Sequence, residues 1–216
     1  MTMDQIRRRT VLLASLTAGL TGCGTGRAPQ PAPTGDGSAA PPAHRILLVY
    51  FSRAGENYFN GGRRVLEVGN TAVVAGLISA RITCDVYRIE AADPYPGSYD
   101  ATVARNTAEQ RADARPAIAR PLPDVAPYDT VLLGSPIWNV RAPMIMSSFV
   151  DGVDLAGKRV LPFVTYAVSG LAGVDDGYRT ALPKAEIGPA LAVRGEDSAG
   201  AGTAVDAWLR DVGLLR

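Results

Sequence analysis

Ile46-Leu47-Leu48-Val49-Tyr50-Phe51, followed at once by Ser52-Arg53-Ala54-Gly55, carries the strongest evidence for the architecture of this chain. Its first six residues are apolar or aromatic without alternation, which is typical of a parallel-sheet strand covered on both faces. Further on, Gly69-Asn70-Thr71 opens an apolar-periodic segment, so a helix would begin there with its positive end exposed. The sequence therefore predicts a strand that leads into an anion-binding loop; the alternative is a strand, a surface loop and a capped helix that bind nothing.

Strand-like and helix-like segments alternate from Arg45 onward, which is the pattern of a layered α/β protein with a parallel sheet. The predicted strands are Ile46 to Phe51, Cys84 to Ile89, Thr130 to Leu133, Arg159 to Val164 and Ala190 to Val193. The predicted helices are Thr71 to Arg81, Tyr99 to Arg111, Ala142 to Val150, Gly173 to Leu182 and Thr203 to Val212. Two long connections remain, and we expect residues 56–68 to be an insertion with a turn and residues 113–128 to be extended.

The N-terminal residues 1–23 have the features of an export signal. Three arginines precede an apolar run that is too short to span a bilayer, and this arrangement resembles a twin-arginine signal. Leu20-Thr21-Gly22-Cys23 resembles a bacterial lipobox, so Cys23 would carry lipid at the mature N-terminus. We expect residues 24–44, rich in Pro, Gly and Ala, to tether a domain of residues 45–216 to the extracytoplasmic side of a membrane; an uncleaved N-terminus is the alternative.

Charge and composition exclude several classes of function. Removal of residues 1–23 would leave 19 basic and 20 acidic side chains, which argues against a nucleic-acid partner. With Cys23 lipidated, Cys84 is left alone, so neither an intramolecular disulfide nor a cysteine metal site is expected, and Cys84 itself is predicted to be a small buried residue. His44, the single histidine, lies at the tether boundary, where it could not serve a serine nucleophile as base.

Three loops follow predicted strands and combine glycines, hydroxyl groups and aromatic rings. They are 52–55, 134–140 and 165–170; each has a glycine and a hydroxyl side chain, and the second and third each have an aromatic ring. In open parallel sheets, ligands bind beyond the carboxyl ends of the strands, so these loops would meet around a ligand. Trp138 offers a face on which a planar ring can stack, although it could instead pack on its own helix.

The chain resembles the flavodoxin family in several ordered segments spread over residues 45–216. They are Tyr50-Phe51-Ser52-Arg53, Gly69-Asn70-Thr71, Gly134-Ser135-Pro136-Ile137-Trp138, and Pro162-Phe163-Val164-Thr165 with the later Ser169-Gly170. The resemblance implies a flavodoxin-like three-layer sandwich, in which a five-stranded parallel sheet in order 2-1-3-4-5 has helices on both faces. It also implies flavin mononucleotide (FMN) as cofactor.

The resemblance assigns site residues to the three loops. The phosphate would be held by Ser52, Arg53, Ala54, Asn70 and Thr71. The flavin ring would lie along Pro136, Ile137, Trp138, Asn139 and Val140, and its other side would be closed by Thr165, Tyr166, Ser169 and Gly170. The insertion leaves open which of Gly55, Glu56, Asn57, Asn70 and Thr71 touch phosphate. No catalytic residue and no metal is expected, because the flavin itself carries the redox chemistry.

Three hypotheses for function remain. The first, which we favour, is a membrane-tethered FMN electron carrier that exchanges electrons with redox partner proteins. The second is an NAD(P)H-dependent FMN quinone reductase on the same fold. The third is a binding module that has the fold but no flavin. The comparison of carrier with enzyme rests on the fold alone.

Overall fold

A computed structural model describes residues 45–216, and these form alternating strands and helices as predicted. The strands are β1 (Ile46–Phe51), β2 (Gly55–Phe59), β3 (Gly62–Leu66), β4 (Asp85–Ile89), β5 (Thr130–Pro136), β6 (Arg159–Tyr166), β7 (Glu186–Ile187) and β8 (Leu191–Arg194). The helices are α1 (Asn70–Ser79), α2 (Tyr99–Arg111), α3 (Met144–Gly152), α4 (Val174–Ala181) and α5 (Gly202–Asp211), with a 3-10 helix at Gly195–Gly200. The predicted signal segment, Cys23 and the tether lie outside the described residues.

The central sheet is parallel and confirms the predicted strand order. Its strands lie in the order β4-β1-β5-β6, followed at the edge by β7 and β8. With β7 and β8 taken as one interrupted strand, this is the order 2-1-3-4-5. All the parallel strands therefore end at the same edge of the sheet, where the ligand loops were predicted to meet.

The fifth strand is broken at Pro189, directly after the Gly188 N–H has donated to the Val160 carbonyl oxygen at 2.9 Å. β7 pairs with the start of β6, and β8 pairs with its end. Pro189 has no N–H to donate, and a Cβ on Gly188 would lie 2.6 Å from a methyl carbon of Leu161. The predicted strand Ala190 to Val193 corresponds to β8, and β7 was not predicted.

Side chains of the sheet alternate between two hydrophobic cores. In β1, Leu47, Val49 and Phe51 face the core built with α3 and α4, whereas Ile46 and Leu48 face the core built with α1 and α5. Both faces of β1 are covered, which explains its unbroken apolar sequence.

Helix α2 differs from the other helices because its buried side chains, Thr102 and Asn106, are polar. The insertion forms an antiparallel hairpin of β2 and β3, and the 113–128 connection has neither helix nor strand apart from one bridge to Ala91. Cys84 is half-buried, and burial raises the pKa of its thiol. Residues 45–216 contain no helix long and apolar enough to cross a membrane and no cluster of metal-ligating side chains.

Candidate functional site

A cavity of about 260 Å³ lies at the carboxyl edge of the sheet. Its walls come from the loops after β1, β5 and β6, from the hairpin, from the first turn of α1, from the inner face of α2 and from the loop after β8. These elements meet there because every parallel strand ends at this edge. The cavity is therefore the place where a ligand of this chain would bind.

One end of the cavity is built around the first turn of α1. Ser52 Oγ accepts a hydrogen bond from the Ala72 N–H at 3.1 Å, and the buried hydroxyls of Thr71 and Thr165 lie 2.8 Å apart. The N–H groups of Asn70 and Thr71 have no acceptor within the helix, because they open it. Hydroxyl groups, a helix N-terminus and these amides together suit an anion such as a phosphate.

Gly69 lets the β1 loop and α1 come this close. A Cβ at this position would lie 2.4 Å from both Ser52 Oγ and the Arg53 carbonyl oxygen. The φ of Gly69 is an ordinary −67°, so close approach, not a left-handed backbone, requires glycine here.

The Arg53 guanidinium turns toward backbone carbonyl groups. It donates to the carbonyls of Pro96 at 2.9 Å and Gly97 at 3.1 Å, and also to that of Glu56. Burial lowers the pKa of Arg53, and the Glu56 carboxylate opposes that shift. Its Nε lies buried without a hydrogen-bond partner among residues 45–216, and Arg53 lines the cavity. The Arg53 Nε donor is therefore unsatisfied by the protein, and the guanidinium brings a positive charge to the wall of the cavity.

The hairpin crosses the cavity and is held at both ends. At its base, Glu56 accepts a hydrogen bond from the Tyr99 N–H at 2.9 Å and so caps α2. Its tip is an Asn60-Gly61 turn in which both residues have positive φ, as a type I′ turn requires. The Asn60 N–H donates to Glu196 at 2.8 Å, which ties the tip to the loop after β8.

Glu196 places a carboxylate at the anion end of the cavity, where only 6% of its side chain is exposed. Arg194 forms an ion pair with it at 3.3 Å, although this contact does not meet hydrogen-bond geometry. The arginine and the Asn60 N–H therefore offset a charge that would otherwise repel a bound anion.

The other end of the cavity has an aromatic wall. Trp138 packs edge-on against Phe51 at 5.5 Å and against Tyr95 at 5.0 Å between ring centroids. The Tyr95 hydroxyl donates to Glu109 at 2.8 Å, and burial strongly raises its pKa, so this ring stays neutral. Trp138 is therefore supported from behind while it lines the cavity with Ile137 and Tyr166.

The turn that carries Trp138 is strained. Asn139 and Val140 both have positive φ, at 49° and 59°, and Trp138 and Arg141 close the turn with paired backbone hydrogen bonds of 2.9 and 3.4 Å. A left-handed conformation is unfavourable for a β-branched residue such as Val140, by roughly 1–3 kcal/mol. Contacts around the turn must compensate for this cost.

A family model described as flavodoxin matches residues 64–212, more than half of the chain. The chain belongs to the flavodoxin family. Because the match begins inside the hairpin, it leaves out β1 and the Ser52 loop of this flavodoxin.

Solved structures of similar fold include two candidate flavoproteins from Bacteroides. The protein from Bacteroides eggerthii is 28% identical, with a TM-score of 0.65 over 81% of this chain and 100% of its own. The protein from Bacteroides uniformis is 27% identical, with a TM-score of 0.63 over 77% of this chain and 98% of its own. A Lactobacillus acidophilus flavoprotein in complex with FMN is 16% identical, with a TM-score of 0.55 over 77% of this chain and 99% of its own, which shows the shared fold. No curated protein matches this flavodoxin.

The structure brings most of the predicted site residues of this flavodoxin to the one cavity. Those that line it are Ser52, Arg53, Asn70, Thr71, Pro136, Ile137, Trp138, Asn139, Thr165 and Tyr166. It places Ala54, Val140, Ser169 and Gly170 outside the lining. Ala54 and Val140 are exposed, and Val140 instead occupies a strained position in the turn.

Other lining residues were not assigned to the site from the sequence, except that Asn57 was left open as a phosphate contact, and they come mainly from the hairpin and α2. They are Asn57, Tyr58, Tyr99, Thr102, Val103, Asn106, Thr107, Ala167, Gly195 and Glu196. The α2 residues 102, 103, 106 and 107 are spaced as one face of a helix. That spacing could have indicated a shared face of α2 in the site. Threonine and asparagine on such a face, however, are typical of a helix surface exposed to solvent.

Proposed function

We propose that this flavodoxin binds FMN in the cavity and transfers electrons to and from redox partner proteins. The observation that carries the proposal is that one cavity joins an anion-binding helix end to an aromatic wall. Membership of the flavodoxin family supports it. The FMN complex of the Lactobacillus acidophilus protein is an example of this ligand on the same fold.

The residues of the cavity fit the two ends of FMN. The phosphate monoester, with a charge near −2, suits the first turn of α1, the Ser52 and Thr71 hydroxyls and the positive charge of Arg53. The planar ring suits the wall of Trp138 and Tyr166. Ala54, Val140, Ser169 and Gly170 do not line the cavity, and we do not propose them as direct contacts of FMN.

Bound FMN would supply the redox chemistry by accepting and releasing electrons at its ring. The chain's own residues bind and orient it. The hairpin limits the access of water to the anion end, and Trp138 is held in place by Phe51 and Tyr95.

Kinetics with soluble donors and acceptors separate a carrier from an enzyme. We expect the FMN-loaded protein, once photoreduced, to pass its electrons to a one-electron acceptor such as cytochrome c. We also expect no sustained turnover with NADH or NADPH and a quinone, because no lining residue marks a nicotinamide site. Sustained turnover would contradict the carrier and indicate a quinone reductase. A protein that takes up no FMN would contradict both and leave a binding module.

We further propose that the domain works at the outer face of the cytoplasmic membrane, anchored by lipid on Cys23. The support is the signal-like sequence of residues 1–23. A tether of about 20 residues could extend to roughly 70 Å, enough for the domain to reach neighbouring membrane proteins. Membrane fractionation of the native chain and a Cys23→Ala variant tests this. The native chain should sediment with membranes and the variant should not, whereas equal distributions would contradict the anchor.

A further inference from the structure

The Gln110 side chain joins helix α2 to the turn that carries Trp138. Its Nε2 donates to the Trp138 carbonyl oxygen at 3.0 Å, and its Oε1 accepts from Asn139 Nδ2 at 2.8 Å. Its Nε2 also lies 3.4 Å from Oδ1 of Asn106, one helical turn earlier and buried. One amide side chain therefore fixes both the backbone and the side chain of this turn, and is itself fixed by Asn106.

The turn requires stabilisation by another element of the chain, because its backbone is strained and the side chain at its tip is not packed. Asn139 and Val140 have positive φ, and the Val140 side chain is 66% exposed, so burial does not stabilise it. The hydrogen bond from the Arg141 N–H to the Trp138 carbonyl is long, at 3.4 Å. Both hydrogen bonds of Gln110 are shorter than this one; the first acts on the same Trp138 carbonyl, and the second acts on the Asn139 side chain.

We propose that Gln110 is a positioning residue that holds the Trp138–Asn139 peptide group at the edge of the cavity and thereby sets both the affinity for FMN and its reduction potential. This inference rests on the proposed function, FMN binding. Trp138 and Asn139 line the cavity, whereas Gln110 does not, so Gln110 acts through them. Without Gln110, the Trp138 carbonyl would keep only the long hydrogen bond from the Arg141 N–H, so this peptide group would lose its fixed orientation at the edge of the cavity where FMN would bind.

The main test compares Gln110→Met with the native chain, because methionine keeps the length and helix propensity of glutamine but not its hydrogen bonds. We expect Gln110→Met to bind oxidised FMN about tenfold more weakly, as the loss of two neutral hydrogen bonds implies. The one-electron midpoint potential of FMN bound to Gln110→Met should become less negative, because the variant binds the oxidised form more weakly. The shift is 59 mV for each tenfold change in the ratio of the affinities for oxidised and reduced FMN. Arg111→Gln, at an exposed position next along the helix, is the matched control and should change neither quantity.

A second variant provides a pH profile that a purely structural role would not give. A protonated glutamic acid can donate to the Trp138 carbonyl and accept from Asn139, as glutamine does, whereas a carboxylate cannot donate. The quantity to follow is the FMN affinity of Gln110→Glu divided by that of the native chain at the same pH. This ratio should be low at pH 7.5 and should recover as the pH falls toward about 4.3, the ordinary glutamate pKa. A ratio that does not change with pH would overturn the proposal.

Iodide quenching of tryptophan fluorescence tests, without any ligand, whether Gln110 holds the turn that carries Trp138. Trp138 is half-buried, and Trp208 is buried in the core at 6% exposure, so a change in accessible fluorescence reports on Trp138. The accessible fraction should rise in Gln110→Met and stay unchanged in Arg111→Gln. Native quenching, affinity and potential in Gln110→Met would overturn the inference. A native chain that takes up no FMN would instead refute the proposed function, and the quenching result alone would then decide whether Gln110 holds the turn.

Discussion

Replacing Gly69 with alanine is expected to weaken FMN binding by at least about a hundredfold. The new Cβ would lie 2.4 Å from Ser52 Oγ and from the Arg53 carbonyl oxygen, and 2.8 Å from the Arg53 carbonyl carbon. The serine can rotate away, but the backbone of Arg53 must move, which separates the strand-end loop from the first turn of α1. We expect a loss of stability of about 1–3 kcal/mol as well, as in other overpacked sites. Isothermal titration with FMN and thermal unfolding measure the two effects.

Gly76→Ala is the matched control for Gly69→Ala. Gly76 lies in the same helix, and a Cβ there would have no heavy atom within 4 Å. Alanine should therefore leave FMN affinity unchanged and raise stability by roughly 0.5–1 kcal/mol, because it favours the helix over the unfolded chain. Native affinity for FMN in Gly69→Ala would show that the close approach of loop and helix does not shape the anion site.

Gly134→Ala is expected to cause the largest loss of stability. Gly134 in β5 pairs in register with Phe163 in β6, whose ring is fully buried. A Cβ at Gly134 would lie 2.0 Å from Cζ of that ring and within 2.6 Å of two more ring carbons. Because a packed core has no room to displace the ring, we expect a cost of about 3 kcal/mol, or a fall in Tm of about 10 °C. Urea unfolding should show a lower midpoint with an unchanged m-value.

A double-mutant cycle tests whether the Phe163 ring causes this loss. Phe163→Leu alone should destabilise the protein because it leaves a cavity. In the presence of Gly134→Ala, however, the smaller side chain also relieves the clash. The double variant should therefore be more stable than the sum of the single effects predicts, by at least about 1 kcal/mol. Strict additivity would show that Gly134→Ala acts through another contact.

The central strands could be predicted from the sequence because strands buried on both faces leave a clear apolar pattern, whereas their order was implied only by the resemblance to the flavodoxin family. The ends of two strands could not. β5 was predicted to end at Leu133 and β6 at Val164, but they continue to Pro136 and Tyr166. Gly134, Ser135 and Pro136 have the composition of a loop, yet they pair with Phe163, Val164 and Thr165 in the structure. Pairing with a neighbouring strand overrides local propensity there.

The parts of the cavity that could not be predicted from the sequence come from elements whose role depends on tertiary contacts. The alternation of polar and apolar residues in the hairpin covers only a short segment. The contact of Asn60 at its tip with Glu196 is what shows that the hairpin crosses the cavity. Helix α2 has polar residues on its buried face, because Thr102 and Asn106 line a cavity in place of a core. Gln110 resembles any exposed helix residue until the turn after β5 is placed beside it. No local pattern distinguishes such residues from a solvated helix face.

The central claim is that the first turn of α1 binds the phosphate of FMN while Trp138 lies against the ring. Parallel titrations of the ligand-free protein with FMN and with riboflavin, which lacks the phosphate, test this most directly when followed by flavin and tryptophan fluorescence. We expect one FMN per chain, quenching of tryptophan fluorescence on binding, and an affinity for riboflavin at least about a hundredfold weaker. Absence of saturable binding, or equal affinity for the two flavins, would contradict the account.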